Sequence, residues 1–192
     1  MSDEFRDGMP FVGSRLWLDF LNTTPLDPDG RPVDLVADAD GLGRWTDAAG
    51  LAGEVSAGED PHEAGRFREI LRGAFERLVR GEAIGDDVVA EVDRRLAGVA
   101  HRLRLTVGAD GPQLAVERRA AGVTGVVAED FARFVCDHEP ARLKHCANPA
   151  CSMVFYDVGK NARRRWCTMS VCGNRDKVGR FRDRKRREAG TA

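Results

Sequence analysis

Four cysteines in the last quarter of the chain constrain its fold more than any other feature. Cys146 and Cys151 form one pair, Cys167 and Cys172 form a second, and fifteen residues separate the two pairs. Two Cys-x4-Cys pairs around a short connector can converge on one tetrahedral Zn2+ with four thiolates as ligands. Because four protein ligands leave no position for water or substrate, such a site is structural rather than catalytic. The spacing therefore predicts one structural zinc ion.

The residues between and after the cysteines predict a small module around that metal. The segments 153–156 and 163–166 are expected to pair as strands across a glycine turn. Ser170 is predicted to cap a helix that begins near Val171. The apolar side chains expected around the metal are Met153, Phe155, Trp166, Val171, Val178 and Phe181. Because this apolar surface is too small to fold alone, we expect metal binding to supply much of the folding free energy.

The same segment resembles the CGNR zinc-finger family, whose motif stands here as Cys172-Gly173-Asn174-Arg175. The similarity extends over CANPAC, the FYD turn, RRRWC, SVCGNR and the trailing basic helix. It implies a treble-clef-like zinc module, usually C-terminal, in bacterial proteins regarded as transcription regulators.

A second motif lies near the N terminus, in the segment SRLWLDFLNT at residues 14–23. Its apolar residues fall on one side of a helix that Ser14 is expected to cap. Asp19, Asn22 and Thr23 lie beside that face, and they either hydrogen-bond nearby backbone or line a ligand pocket. The stretch resembles the LxLDFxNT motif of the ABATE domain, for which binding of antibiotics or other small molecules has been proposed. That resemblance implies ligand binding by these three polar residues.

The rest of the N-terminal part predicts four helices and one hairpin. Helices are expected over 38–49 and 67–79, from Asp86 onwards, and over 126–137, and a β-hairpin is expected over 102–118. Cys136 lies on the predicted apolar face of the last helix, as a core residue. The predicted fold class is α+β. A mainly helical domain with one β-hairpin, residues 1–140, precedes a small treble-clef-like zinc finger with a basic C-terminal helix, residues 141–192.

Charge is distributed unevenly between these two parts. Residues 141–192 carry 14 Lys and Arg against 4 Asp and Glu, whereas residues 1–140 carry 16 against 27. A basic module on an acidic body indicates a polyanionic partner for the module alone. The residues predicted to contact nucleic acid are Arg163, Arg164, Arg165, Arg175, Lys177, Arg180, Arg182 and Arg184. For the tail 184–187, a solvated and frayed end remains the alternative.

The chain shows no features of a secreted, membrane or catalytic protein. Its polar, acidic start lacks a signal peptide, and no apolar stretch approaches ~20 residues. We therefore expect a cytoplasmic protein, in whose reducing surroundings paired cysteines bind metal more often than they form disulfides, although disulfides stay open. Phosphate-loop and nucleophile motifs are absent from the sequence, and no carboxylate pair stands out for acid–base work. We predict that the protein is not an enzyme.

Taken together, these features predict a zinc-containing DNA-binding regulator. Its N-terminal domain is a candidate for small-molecule sensing and for homodimerisation, without a membrane partner. The alternative is a zinc finger that docks on an acidic protein, and RNA is a further open partner for the basic module.

Overall fold

A computed structural model describes residues 4–137 and 139–189 and confirms the α+β class. The helices of the described residues are α1 Leu16–Leu21, α2 Ala39–Ala48, α3 Pro61–Val79, α4 Asp86–Leu96, α5 Val123–Asp137 and α6 Asn174–Ala189. The strands are β1 Phe5–Arg6, β2 Met9–Pro10, β3 Val99–Gly108, β4 Gly111–Ala120, β5 Leu143–His145 and β6 Val154–Tyr156. They form three antiparallel pairs, β1–β2, β3–β4 and β5–β6.

The short helix α1 lies at the centre of the main core, between α3, α5 and β6. Trp17 is fully buried and packs its ring against Phe131 and Phe134 at 5.2 Å and against Phe75 at 6.2 Å. On the other side Phe20 meets Trp45 of α2 at 5.1 Å. Burying one such aromatic side chain is worth about 1.5–3 kcal/mol. The apolar helix face predicted in residues 14–23 therefore lies at the centre of the core.

Aspartates fix the starts of α2 and α3, and α3 begins six residues before the predicted range 67–79. The carboxylate of Asp38 accepts from the backbone N–H of Gly41 at 2.7 Å, and that of Asp60 accepts from His62 at 2.9 Å. Pro61 occupies the first turn of α3, where its missing N–H costs nothing. The buried stripe of α3 is Ala64, Phe67, Arg68, Leu71, Ala74, Phe75 and Leu78.

Two local predictions in the N-terminal part were wrong. Ser14 does not cap α1, because it has a positive φ of 66° and Arg15 holds the cap position without a side-chain bond. Cys136 is exposed rather than buried. The core face of α5 contains Phe131 and Phe134, and Cys136 is two residues, or about 200°, beyond Phe134.

The β3–β4 hairpin extends well beyond the core. Its register runs over ten residues on each strand, from Val99 opposite Ala120 to Gly108 opposite Gly111. Ala120 at the base is buried in the main core, whereas the apolar residues farther along both strands are exposed. The hairpin predicted from alternation is confirmed, and most of it reaches into solvent.

None of the helices in the described part of the chain is both long enough and apolar enough to span a bilayer.

Candidate metal centre and the surrounding basic surface

The four paired cysteines converge on one point. Their Sγ atoms all lie within 4.8 Å of one another, with 3.8 Å between Cys151 and Cys167 and 3.6 Å between Cys167 and Cys172. Four sulfurs around Zn2+ at about 2.3 Å would be ~3.8 Å apart, so the observed spacings match a tetrahedral thiolate site. Three of the cysteines are buried, and Cys151 is half-buried. The donor set therefore fits one zinc ion with no open position.

Turns on both sides of the cluster aim the thiolates inward. The backbone N–H of Cys146 donates to Met153 at 2.9 Å, which closes the first knuckle. The Asn148 carboxamide accepts from Ala150 N–H at 3.1 Å and donates to Cys172 Sγ at 3.3 Å. Hydrogen bonds of this kind orient a sulfur ligand and stabilise its charge. Asn148 therefore supports the metal site through Cys172. The sequence predicted a turn at this residue but not its hydrogen bond to the sulfur.

Cys172 lies on a π-helical turn, Met169–Gly173, that leads into α6. The cap of this turn is Thr168, whose hydroxyl accepts from the N–H of Ser170 at 3.2 Å. The prediction of Ser170 as the cap was wrong by two residues, because the π-helical turn starts earlier than the expected helix. A Cβ at Gly173 would lie 2.7 Å from the Met169 sulfur, so the turn packs closely at this position.

The thiols of the cluster differ in acidity before metal is bound. A hydrogen bond from Cys167 lowers the pKa of Cys151 to about 5. Burial raises the pKa of Cys172 to about 11, and the neighbouring Cys151 raises the pKa of Cys167. Zinc binding must therefore displace protons from the more basic thiols, and its affinity falls as the pH is lowered.

The strand pair of the finger differs from the prediction. β6 pairs with β5, Leu143 opposite Tyr156, and residues 163–166 form no strand. The buried carboxylate of Asp157 lies between the two segments. It accepts from Lys144 Nζ at 2.8 Å, from Gly159 N–H at 3.0 Å and from Arg164 N–H at 2.7 Å, so the Arg164 N–H is bonded to a side chain and not to a neighbouring strand. Burial alone would raise the pKa of Asp157, but these donors outweigh burial and hold the pKa below its usual range.

The finger packs directly on the N-terminal helices. Leu143, Val154 and Tyr156 belong to the main hydrophobic core. The Asn22 amide of the α1 end donates to Val154 C=O at 2.9 Å and accepts from Val154 N–H at 2.8 Å. The N–H of Tyr156 donates to Gly13 C=O at 2.9 Å. The predicted boundary at residue 140 stays a prediction, but the two parts share one core.

Arg164 ties the finger to the N-terminal segment from the other side. Its guanidinium donates to Trp166 C=O at 3.0 Å and to Val12 C=O at 2.7 Å, and it also donates to the carbonyl of Cys167. It lies over the ring of Phe155, 4.3 Å from the centroid. The predicted nucleic-acid contact by Arg164 is untested, but its donors are directed at the protein.

The three polar residues at the end of α1 are all buried. The Thr23 hydroxyl donates to Phe20 C=O at 2.7 Å and accepts from Arg68 at 2.9 Å. The Asp19 carboxylate accepts from Gly13 N–H at 2.7 Å. Asp19 and Thr23 thus contact nearby groups, whereas Asn22 reaches the finger. Ligand binding by these residues stays a prediction.

Burial makes Asp19 sensitive to pH. Desolvation raises the pKa of Asp19 to about 7, although the Gly13 N–H acts in the opposite direction. Since the folded state then holds the proton more tightly than the unfolded state, the stability from Asp19 is present below about pH 4 and is lost as the pH rises through 7.

Asp19→Asn keeps an acceptor for Gly13 and cannot ionise. We expect this variant to be more stable than the wild type at pH 8 by about 2 kcal/mol, half of the ~4 kcal/mol that three pKa units represent. The gain should shrink by about half at pH 5.5. Urea unfolding of both proteins at the two pH values measures this gain in the free energy of unfolding. A gain that does not change with pH would contradict the raised pKa of Asp19.

Five of the eight residues predicted to contact nucleic acid have exposed side chains, namely Arg163, Arg165, Arg175, Lys177 and Arg182. The side chains of Arg180 and Arg184, on α6, lie outside the described part of the structure. Arg175 and Arg182 line one shallow groove along α6. Val178 and Phe181 are each 48% exposed, so their predicted place around the metal was wrong. Val12 from the N-terminal segment completes that cluster instead.

Comparison with known families accounts for both halves of this architecture. The family model of the ABATE domain, described as "Putative stress-induced transcription regulator", matches residues 14–138. The chain belongs to the ABATE family. The CGNR zinc finger model matches residues 142–185, which include the four clustered cysteines. The two resemblances and the single structural zinc predicted from the sequence are thereby confirmed. No curated protein matches the chain.

Proposed function

We propose that this ABATE protein is a DNA-binding regulator that contacts the duplex with its CGNR finger. The observation that carries the proposal is the set of five exposed cations on a finger that zinc and the N-terminal core hold in place: Arg163, Arg165, Arg175, Lys177 and Arg182. Phosphates attract such charges strongly, and their attraction is independent of base sequence.

The cations of the finger fall into two groups, those that hydrogen-bond within the protein and those that are exposed to solvent. Lys144 and Arg164 direct their donors at carbonyls and at Asp157 within the protein. Arg165 lies 5.0 Å from the ring of Trp166, which restrains an exposed guanidinium near the metal. An arginine held in this way loses less conformational entropy when it binds a phosphate or the edge of a guanine. We assign Arg164 a positioning role and the exposed cations the DNA contacts.

The acidic N-terminal part supports the same division of labour. With 27 Asp and Glu against 16 Lys and Arg, residues 1–140 repel phosphate and confine binding to the finger. The four thiolates fill the coordination of the zinc, so the metal supports the fold and takes no part in a reaction. A regulator without catalytic activity is the function that this geometry supports best.

Salt dependence of duplex binding tests the proposal. If five phosphates are neutralised, the slope of log K against log salt should be about −4.5. Changing Arg163, Arg165, Arg175 and Lys177 together to Ala should bring the slope close to −1, measured by fluorescence anisotropy. The matched control changes four exposed arginines of the N-terminal domain, Arg31, Arg44, Arg80 and Arg94, and should keep the wild-type slope.

Equal slopes for the two quadruple variants would contradict DNA binding by the finger. Docking on an acidic protein is the competing function, and the half-exposed apolar residues Met169, Val178 and Phe181 beside the cations favour it over RNA. A partner that remains bound after nuclease treatment, together with no duplex binding, would establish docking instead.

Ligand sensing by the ABATE domain is a separate part of the proposal. A cavity of about 380 Å3 lies between α2 and the 52–59 segment, lined by Leu42, Thr46, Val55, Glu59 and Val123 among others. Its size and mixed lining are typical of small-molecule sites. Thermal shifts against a panel of metabolites and antibiotics, compared with a Thr46→Trp variant that fills the cavity, test this role.

A further inference from the structure

The β3–β4 hairpin presents an uncovered apolar face to solvent. Opposite residues of an antiparallel pair project to the same side, so Leu103 with Val116, Leu105 with Leu114, and Val107 with Pro112 form three consecutive layers. The exposed fractions are 64% for Leu103, 61% for Val116, 72% for Leu105, 65% for Leu114 and 81% for Val107. We call these six residues the hairpin face.

The opposite side of the hairpin is mainly polar, although it also contains the small residues Ala100 and Ala115. It carries Arg102, Arg104, Thr106, Gln113 and Glu117, and Arg104 forms a salt bridge with Glu117 at 3.2 Å. Strands that alternate in this way normally have one side in water and the other side covered. A two-stranded hairpin is only marginally stable unless its apolar side packs on something. The asymmetry indicates that the hairpin face is covered in the working protein.

We propose that a second copy of this chain covers the hairpin face, and that two hairpins pack face to face around a two-fold axis. An isologous contact needs a surface that complements itself. The hairpin face meets this condition because its aliphatic side chains carry no charge, so two copies can approach without burying an ion.

The area of the hairpin face suits a dimer of modest affinity. Burying a whole Leu or Val side chain removes roughly 60–120 Å2 from water. With about two thirds of each of five side chains exposed, two copies offer roughly 600 Å2 of apolar surface. Since interfaces are about 60% apolar, the total would be near 1,000 Å2, the lower end for a specific dimer. We expect association in the micromolar range.

Charge at the two ends of the hairpin sets the direction of packing. Asp110 occupies the turn. Arg118 and His101 lie at the base, where Arg118 forms salt bridges with Glu54 and Glu129 and His101 lies beside Glu129. Leu114 is four residues, or ~13 Å, from both Asp110 and Arg118. Tip-to-base packing centred on Leu114 therefore brings each Asp110 near an Arg118, whereas tip-to-tip packing would bring two aspartates together.

Other occupants fit the hairpin face less well. Nucleic acid would need cations there, and the face has none. A membrane-binding surface usually combines aromatic residues with flanking lysines or arginines. The hairpin face has only Leu, Val and Pro, and its tip is acidic.

The test compares two double variants of the zinc-loaded full chain by sedimentation equilibrium between about 1 and 100 µM. The wild type should approach twice the 21.1 kDa of one chain. Leu105→Asp with Leu114→Asp puts four carboxylates into the interface and should weaken association at least 100-fold. Thr106→Asp with Gln113→Asp adds the same charge one layer away on the polar side and should leave the dimer intact.

A wild type that stays monomeric at about 100 µM would overturn the proposal without reference to any variant. A dimer that survives Leu105→Asp with Leu114→Asp would place the interface elsewhere and would equally overturn it. Flotation of monomeric wild type with neutral phosphatidylcholine vesicles would show that lipid covers the face instead. Thermal unfolding of both variants accompanies the measurement. Because Leu105, Gln113 and Leu114 are exposed and Thr106 is half-buried, the midpoints of both variants should stay within a few degrees of the wild type.

Discussion

Stripping the zinc will unfold the finger and weaken the ABATE domain with it. The metal cluster includes few buried apolar residues besides the cysteines, chiefly Val12, Met153 and Phe155. Structural zinc in such modules is worth on the order of 10 kcal/mol at neutral pH. Without it, the four thiolates would repel one another or take up protons, and β5 and β6 would lose the turns that anchor them.

Unfolding of the finger should also destabilise the N-terminal domain, because Val154 and Tyr156 of the finger belong to the main core. We expect chelation to remove the tertiary signal of Trp166 and to lower the unfolding midpoint of residues 1–140 by about 10 °C or more. Cys146→Ser and Cys172→Ser should each reproduce this loss, followed by near-ultraviolet circular dichroism and calorimetry.

The fifth cysteine provides the matched control for these variants. Cys136 is exposed and lies outside the cluster, so Cys136→Ser should keep one zinc per chain and change stability by less than about 0.5 kcal/mol. A chelated protein with an unchanged unfolding midpoint would refute the dependence of the fold on zinc.

Replacing Asn22 by Ala should destabilise the protein by about 4 kcal/mol. Its amide pairs with both backbone groups of Val154, and the contact is buried. Removing the amide leaves one N–H and one C=O unsatisfied in the core, and each such group costs about 1–3 kcal/mol. Urea unfolding followed by tryptophan fluorescence measures the loss.

Two controls separate docking of the finger from general damage. Asn161 is exposed on the finger, and Asn161→Ala should change stability by less than about 0.5 kcal/mol. Asn22→Ala should still hold one zinc, since its contacts are to Val154 and not to a cysteine. A cost below about 1 kcal/mol would mean that these two hydrogen bonds do not hold the finger on the domain.

The metal site could be predicted from the sequence because four ligands in two close pairs leave few alternatives. Cys-x4-Cys spacing fixes which atoms converge, and the structure brings all four sulfurs together. The strand pairing could not be predicted in the same way. Residues 163–166 have strand character, but the N–H of Arg164 donates to the buried carboxylate of Asp157 and not to a strand, while β6 pairs with β5.

The contacts between the N-terminal part and the finger could not be predicted from the sequence for a related reason. A polar residue at a helix end is usually satisfied locally, and the Thr23 hydroxyl donates to Phe20 C=O in this way, although it also accepts from Arg68 of α3. Asn22 bonds to a strand 132 residues away. Arg164 looks like its neighbours in an arginine run, yet it faces inward. Periodicity describes one element at a time, so long-range partners of single polar side chains remain hidden from it.

X-ray absorption at the zinc edge tests the central claim most directly. The purified, zinc-loaded protein should show one zinc per chain surrounded by four sulfurs at about 2.3 Å, with no nitrogen or oxygen in the first shell. A first shell containing a light atom, or sulfur from fewer than four cysteines, would contradict a closed structural site formed by Cys146, Cys151, Cys167 and Cys172.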